Sequence, residues 1–465
     1  VDWDGIRALV LGLGDTGLSM ARWLARHGAR VRVADTRAAP PHAARLAQEL
    51  PGVPLASGPF DEATLAGAEL VAISPGIDRR EPAIARAIRR GVPVVGDIEL
   101  FARALRQHAA RAPEFARVKI LAVTGSNGKS TVSALAGEMC RAAGRETLVA
   151  GNIGLPVLDA LAAIEAGGAV PEVFVLELSS FQLESTESLE PDAAAMLNLA
   201  EDHLDRYDSL ADYAAAKSRV FAGGGVQVLN RDDRASASMA RAGRTHYTFG
   251  HGAPRAENEW GVALREGRRV LARGTTPILD AEELALAGEH NIANALAAHA
   301  LAHAIGLPAE PLARALRAFR GLPHRVQPVT QIAGVAFFDD SKGTNVAATV
   351  AALKGLGRPV VLIAGGDGKG QDFTPLAPAV RAHARAVVLI GRDAGLIERA
   401  LAGCGVALEH AAGMQEAVAA AFRAARPGDA VLLSPACASY DMFRDYVHRA
   451  QAFCAAVARL AQERG

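Results

Sequence analysis

Residues 118–131, VKILAVTGSNGKST, carry the most explicit chemistry in the chain. An apolar run at 120–123 predicts a strand, and Gly125-Ser-Asn127-Gly128 predicts a tight turn. Lys129, Ser130 and Thr131 follow, and 132–143 is helix-compatible. Strand, glycine turn, Lys-Ser/Thr and helix is the order that wraps nucleotide phosphates. Backbone N–H groups and the helix N-terminus face the anion, the ammonium adds a point charge, and the hydroxyl reaches a metal ion. The strict spacing G-x-x-x-x-G-K-[ST] requires glycine at position 123, where this chain has Val123; the loop is a shortened variant.

Other strand ends carry polar groups. The strand expected at 7–11 runs into Gly12-Leu-Gly14-Asp-Thr16-Gly17 and a helix at 18–27; the next strand, 30–34, ends in Asp35-Thr36-Arg37. This G-x-G-x-x-G with a following acid suggests either a dinucleotide cofactor, NAD or FAD, or a Rossmann-like half whose glycines serve only turn and packing. Strand 70–73 ends in Ser74-Pro-Gly76, and strand 147–150 in Gly151-Asn152-Ile-Gly154. Glu177 follows the apolar run 173–176, where it either holds magnesium or caps the next helix. Glu201-Asp202-His203-Leu-Asp205 is either a metal-ligand run or a solvated turn, and His203 would be an atypical magnesium ligand. Asn291 and Asn294 share one face at the start of a long helix, as caps or as ligand contacts.

The lysines are Lys119, Lys129, Lys217, Lys342, Lys354 and Lys369; arginine supplies nearly all other positive charge. A chain built on arginine keeps lysine where a compact, deprotonatable amine is needed. Lys129, Lys342 and Lys369 sit beside glycine in loops, and Lys217 lies past an acidic cluster, so these four are assigned to function. Lys119 and Lys354 are assigned to the surface.

The elements that must position these groups alternate strand and helix throughout. With 465 residues and a length prior of about 150 per domain, three domains are expected. The fold class is α/β: a Rossmann-like unit at 1–97, a central P-loop-type ATPase unit at 98–321, and a second Rossmann-like unit at 322–465. Functional rims on all three imply a multi-substrate enzyme. Zero formal net charge argues against a nucleic-acid or anionic-membrane partner. No apolar run reaches the roughly 18 residues of a membrane span, and the acidic N-terminus is unlike a signal peptide. Four cysteines without CxxC spacing read as buried thiols, and the cytoplasm is the expected compartment.

TGSNGKST, GNIG, LELSSFQL, EDHLDRY with AAAKSR, GEHNIANALAA, GLPHR, DDSKGTN, GGDGKG and LLSPACASYDMF together resemble the successive motifs of the Mur ligases, over essentially the whole chain. Within that family the set is most similar to the branch that adds D-glutamate. The resemblance implies that Thr16, Asp35, Thr36, Arg37, Gly76 and Asn152 contact a UDP-N-acetylmuramoyl-L-alanine substrate. It implies that Gly125, Asn127, Gly128, Lys129, Ser130, Thr131, Asn291, Asn294, Arg325 and Asp340 bind ATP. Magnesium, as one or two ions with manganese as an alternative, would be held by Ser130, Glu177, His203 and a carbamylated Lys217. Lys129, Lys217, His203 and Glu177 form the implied catalytic set. Lys342, Thr344, Lys369, Ser439 and Tyr440 would meet D-glutamate, with Lys342 alternatively pairing with a neighbouring aspartate. A monomeric enzyme acting through an acyl phosphate on small molecules is expected.

Overall fold

A computed structural model describes residues 3–203, 206–286 and 288–464. Among these residues the chain forms three sheets. The first is parallel, its strands running Leu55–Ser57, Arg30–Asp35, Arg7–Leu11, Leu70–Ile73 and Val94–Val95 across the sheet. Strand order reverses beside Arg7–Leu11, which opens a crevice at its carboxyl end. There Gly12 adopts φ +85°, and a Cβ on Gly17 would stand 1.8 Å from the Gly12 carbonyl oxygen. Gly17 is therefore required for the helix Asp15–Arg26 to lie against its strand, whereas a Cβ on Gly14 would meet nothing within 4 Å.

In the central sheet, Lys119–Thr124 lies between the parallel strands Val173–Glu177 and Ala193–Met196. Buried on both faces, these strands read as continuous apolar runs. Beyond Ala193–Met196 the sheet continues through Val226–Asn230 and His246–Phe249, then an antiparallel meander, Glu259–Arg265, Arg268–Arg273 and Thr276–Asp280. No strands were anticipated here, because arginine and glutamate on the half-exposed face interrupt the apolar signal. Two helices, Asp97–Ala109 and Pro113–Ala116, lead into the central sheet, the second opened by its proline.

The third sheet joins a hairpin, Gln327–Ile332 and Val335–Asp339, to the parallel strands Ala430–Leu433, Val360–Gly365, Ala384–Ile390 and Ala407–His410. Separate apolar clusters cover its two faces. By contrast, one cluster runs from Trp23 and Leu24 of the first unit through Phe101 to Phe174 and Phe221 of the second. The first two units thus share apolar core, while polar bonds link the third to them. No helix among the described residues is long and apolar enough to cross a membrane.

Gly17→Ala is expected to destabilise the N-terminal unit by about 1–3 kcal/mol, the cost of overpacking. Urea unfolding followed by tryptophan fluorescence measures this; an unchanged midpoint would contradict the close approach of helix and strand.

Candidate active site

At the carboxyl end of Lys119–Thr124 the chain turns through Gly128 at φ +87°, where a Cβ would stand 2.4 Å from Asn294 Oδ1. Helix Lys129–Ala142 begins immediately, so its free N–H groups and positive end belong to the turn. Lys129 Nζ donates to the carbonyls of Gly125 (2.8 Å) and Ser126 (2.9 Å). Lys217 Nζ, from helix Leu210–Ser218, reaches the same Gly125 carbonyl at 2.9 Å. Lys217 is 1% exposed, and its amine lies 4.5 Å from the centroid of the Tyr213 ring. Burial first, and then the Lys129 charge, drive its pKa well below that of an ordinary lysine. Burial also lowers Lys129, against the opposing attraction of Glu177 and Asp202.

Glu177 ends its strand facing this pair. Its Oε1 accepts from Asn152 Nδ2 at 2.8 Å, while Oε2 is buried without a hydrogen-bond partner among the described residues. Burial opposes its charge, but Lys129, Asn152 and Lys342 outweigh burial and hold the carboxyl below the usual range. A buried, ionised oxygen without a donor fits a bound cation. His203, at φ +58°, sits 4.6 Å from Phe181 between ring centroids. Burial pulls its pKa down to about 4, leaving the neutral imidazole a metal would need. Asp205, part of the anticipated ligand run, lies outside the described residues. Among the described residues no three His, Cys, Asp or Glu side chains gather as a metal site. A cation here would depend on Glu177, His203 and Ser130, together with phosphate oxygens and any carboxylate formed on Lys217.

A cavity of about 240 Å³ adjoins the loop at the junction with the third unit. It brings together Asn127, Gly128, Thr131, Asn291, Asn294, Arg325 and Asp340. Arg325 Nη2 donates to Ser130 Oγ at 2.9 Å across the junction. The residues flanking it, His324 (φ +62°) and Val326 (φ +47°), are left-handed, a strained state for a β-branched side chain. Burial pushes the Asp340 carboxyl up to about 7, against hydrogen bonds from Ser434 Oγ (2.7 Å) and Val326 N (3.2 Å).

Two further bridges cross the junction. Asn345 Nδ2 donates to Asn127 Oδ1 (3.1 Å) and Asp202 Oδ2 (3.3 Å), while its own Oδ1 caps helix Val346–Gly355. Lys369, another left-handed residue, places Nζ 2.7 Å from Asp202 Oδ1. Sequence reasoning passed over Asn345, whose position after Gly-Thr and before an apolar run signals a cap but not a bridge.

Of the remaining amine-side residues, Lys342 forms no ion pair among the described residues; its ammonium lies 5.0 Å from the Tyr446 ring centroid. The alternative pairing with an aspartate is therefore not what the fold contains. Burial pulls Lys342 down to about 8. Thr344 N–H bonds back to the Lys342 carbonyl at 3.0 Å. Ser439 is buried on a loop whose neighbour Ala438 exchanges backbone bonds with Asp367, two residues before Lys369. Tyr440 is 75% exposed and lines neither of the cavities described here.

In the first unit, Thr16 and Asn152 line a cleft of about 630 Å³ between helix Asp15–Arg26 and the central domain. Thr36, Arg37 and Gly76 are exposed at neighbouring strand ends. Asp35 accepts four hydrogen bonds, from Leu13 N (2.7 Å), Arg37 N (2.9 Å), Arg37 Nε (2.8 Å) and Arg37 Nη2 (2.6 Å). The Arg37 guanidinium holds its carboxyl down at about 2. A carboxylate offers about four lone-pair sites, so Asp35 has none left for a ribose hydroxyl and serves by fixing Arg37 and the glycine turn. This removes the acceptor that a dinucleotide cofactor needs.

Three family models match in succession: "Mur ligase MurD-like, N-terminal domain" over 6–96, "Mur ligase middle domain" over 123–302, and "Mur ligase, glutamate ligase domain" over 324–437. A UDP-N-acetylmuramoylalanine--D-glutamate ligase of Thiobacillus denitrificans is 58% identical, covering 99% of this chain and 98% of its own length. The chain belongs to the Mur ligase family. A ligase of the same name from Chromobacterium violaceum is 54% identical over the full length of both chains (100% of each). Among solved structures, UDP-N-acetylmuramate-alanine ligase of Thermotoga maritima superposes with a TM-score of 0.61 at 19% identity, covering 98% of this chain and 100% of that one. MurF ligase from the same organism, in complex with ADP, gives 0.61 at 13% identity over 99% and 96%. These likenesses establish the three-domain Mur ligase fold.

Lys129→Ala is expected to lower ATP turnover by about 10³-fold or more, as for other losses of charge stabilisation. Unfolding should remain cooperative, and retained turnover would exclude the loop from the chemistry.

Proposed function

We propose that this chain is an ATP-dependent ligase that joins D-glutamate to UDP-N-acetylmuramoyl-L-alanine in cytoplasmic peptidoglycan precursor synthesis. The observation that carries the proposal is the junction itself. The phosphate loop, the donorless Glu177 oxygen and the Lys342–Asn345 segment meet at one seam, in a chain more than half identical to relatives bearing that name.

An unactivated carboxylate is a poor acyl donor because oxide would have to leave. Attack of the L-alanine carboxylate oxygen on the γ-phosphorus of ATP releases ADP and gives an acyl phosphate. The neutral amine of D-glutamate then attacks the acyl carbon, the C–O bond breaks, phosphate leaves, and the nitrogen loses a proton. Lys129 and Arg325 neutralise phosphoryl oxygens, while Asn291, Asn294 and Asp340 orient the nucleotide. Gly125, Asn127, Gly128 and Thr131 shape its cradle. Lys342, Thr344, Lys369 and Ser439 receive the amino acid; Tyr440 stays an exposed rim residue. Thr16, Asn152, Thr36, Arg37 and Gly76 receive the uridine nucleotide, with Asp35 acting through Arg37.

Magnesium would be held by Ser130, Glu177 and His203, and would supply charge stabilisation to the phosphates. A carbamate on Lys217 would add a further carboxylate to that set. The neutral amine adds to carbon dioxide, forming an N–C bond as one C=O electron pair moves to oxygen and the nitrogen releases a proton. The depressed basicity of Lys217 favours the reactive amine. An arginine there has no such amine.

With ATP and UDP-N-acetylmuramoyl-L-alanine present, phosphate release should be stimulated by D-glutamate and not by L-lysine, glycine or meso-diaminopimelate; stimulation by diaminopimelate instead would overturn the assignment. Lys217→Ala should be inactive and partly restored by a short carboxylic acid. Full activity of Lys217→Arg would contradict the carbamate.

A further inference from the structure

Helix Val157–Glu165 of the central domain carries two carboxylates that meet helix Asp15–Arg26 of the first. Asp159 accepts from Ser19 Oγ (2.8 Å) and Arg22 Nη2 (2.7 Å). Glu165 accepts from Trp23 Nε1 (3.2 Å) and from His108 Nε2 (2.8 Å), the latter on helix Asp97–Ala109. Its Oε1 also lies 3.3 Å from His27 Nε2. Arg22 and Asp159 line the cleft that holds Thr16 and Asn152, so the Asp159 half of this latch borders the cleft, and the Glu165 half acts on it through the two helices. The apolar core shared by the two domains is non-directional, and directional bonds are what fix the helices' relative register.

His27 is the unusual member. Its Nδ1 is 2.8 Å from the Trp23 carbonyl oxygen, which can only accept, and its Nε2 faces an ionised carboxylate, which also can only accept. Nδ1 therefore donates to the carbonyl, and a proton on Nε2 turns its contact with Glu165 into an ion pair. The ring also stacks on Trp23 with centroids 4.1 Å apart and planes 31° apart, a face that favours a cation. The other charged groups around it are Arg26 on its own helix, His108 across Glu165, and Asp4, beside Gly28.

We propose that His27, held as an imidazolium between Trp23 and Glu165, is a positioning residue that sets the uridine-nucleotide cleft and loosens it as the solution becomes alkaline. The assignment of the cleft rests on the function proposed above. The sign follows from linkage. The Glu165 hydrogen bond raises His27 above its ordinary value of 6.5. Stabilisation is complete below that value and is lost as pH rises through the raised one.

The test measures KM for UDP-N-acetylmuramoyl-L-alanine, KM for ATP and kcat from about pH 6 to about pH 9, the range where histidine titrates. The parent chain, His27→Gln and Glu165→Gln are compared, and tryptophan fluorescence is recorded alongside. In the parent chain KM for the uridine substrate should rise at least about threefold with pH, as the competent fraction falls. KM for ATP and kcat should stay level. In both variants that KM should already be high and flat. Fluorescence should increase with pH in the parent as the quenching imidazolium is lost from Trp23, and this step should vanish in His27→Gln. A parent KM independent of pH, or a His27→Gln profile matching the parent, overturns the latch. If the parent makes no product from these substrates, the proposed function fails instead. The fluorescence step then decides the latch, and its absence overturns it.

Discussion

Two amines share one carbonyl, and the rest of the site answers to that arrangement. Lys129 and Lys217 both donate to Gly125 O, and the Lys129 charge disfavours that of the buried Lys217. Glu177 and Asp202 supply compensating charge, and one Glu177 oxygen has no hydrogen-bond partner among the described residues. A polyphosphate with its metal suits such a place: it brings negative charge to Lys129 and positive charge to Glu177. Lys217, the more deeply buried amine, is the one that can dispense with its proton.

The third domain reaches this centre through polar bonds. Arg325 to Ser130, Asn345 to Asn127 and Asp202, and Lys369 to Asp202 connect the amino-acid side to the phosphate loop itself. Left-handed backbone at His203, His324, Val326 and Lys369 surrounds these bonds. Such conformations persist only where neighbours hold them, and they cluster where side chains must be aimed. The first domain is joined differently, through common apolar core and a polar latch whose protonation state matters. One seam is polar and strained; the other is largely apolar.

Much of this was legible in the sequence because glycine turns, strand runs and isolated lysines have local causes. The phosphate loop needs φ > 0 at Gly128, and Gly17 has no room for a side chain. Lys217 stood out because arginine replaces lysine almost everywhere else. What stayed hidden depends on pairings distant in sequence. Nothing near Asp202 announces that Lys369, 167 positions along the chain, will bind it. Val326 gives no local sign of a left-handed backbone; its N–H is held by Asp340, 14 positions along the chain. The strands from Glu259 to Asp280 escaped because one face is solvated and arginine-rich.

In the proposed reaction the site activates a carboxylate by phosphorylating it. Oxygen-18 in the carboxylate of UDP-N-acetylmuramoyl-L-alanine tests this directly. Attack by that oxygen on the γ-phosphorus, followed by C–O cleavage, leaves the label in released phosphate, one oxygen-18 atom for each amide formed, as mass spectrometry would detect. Amide formation with unlabelled phosphate would contradict the account.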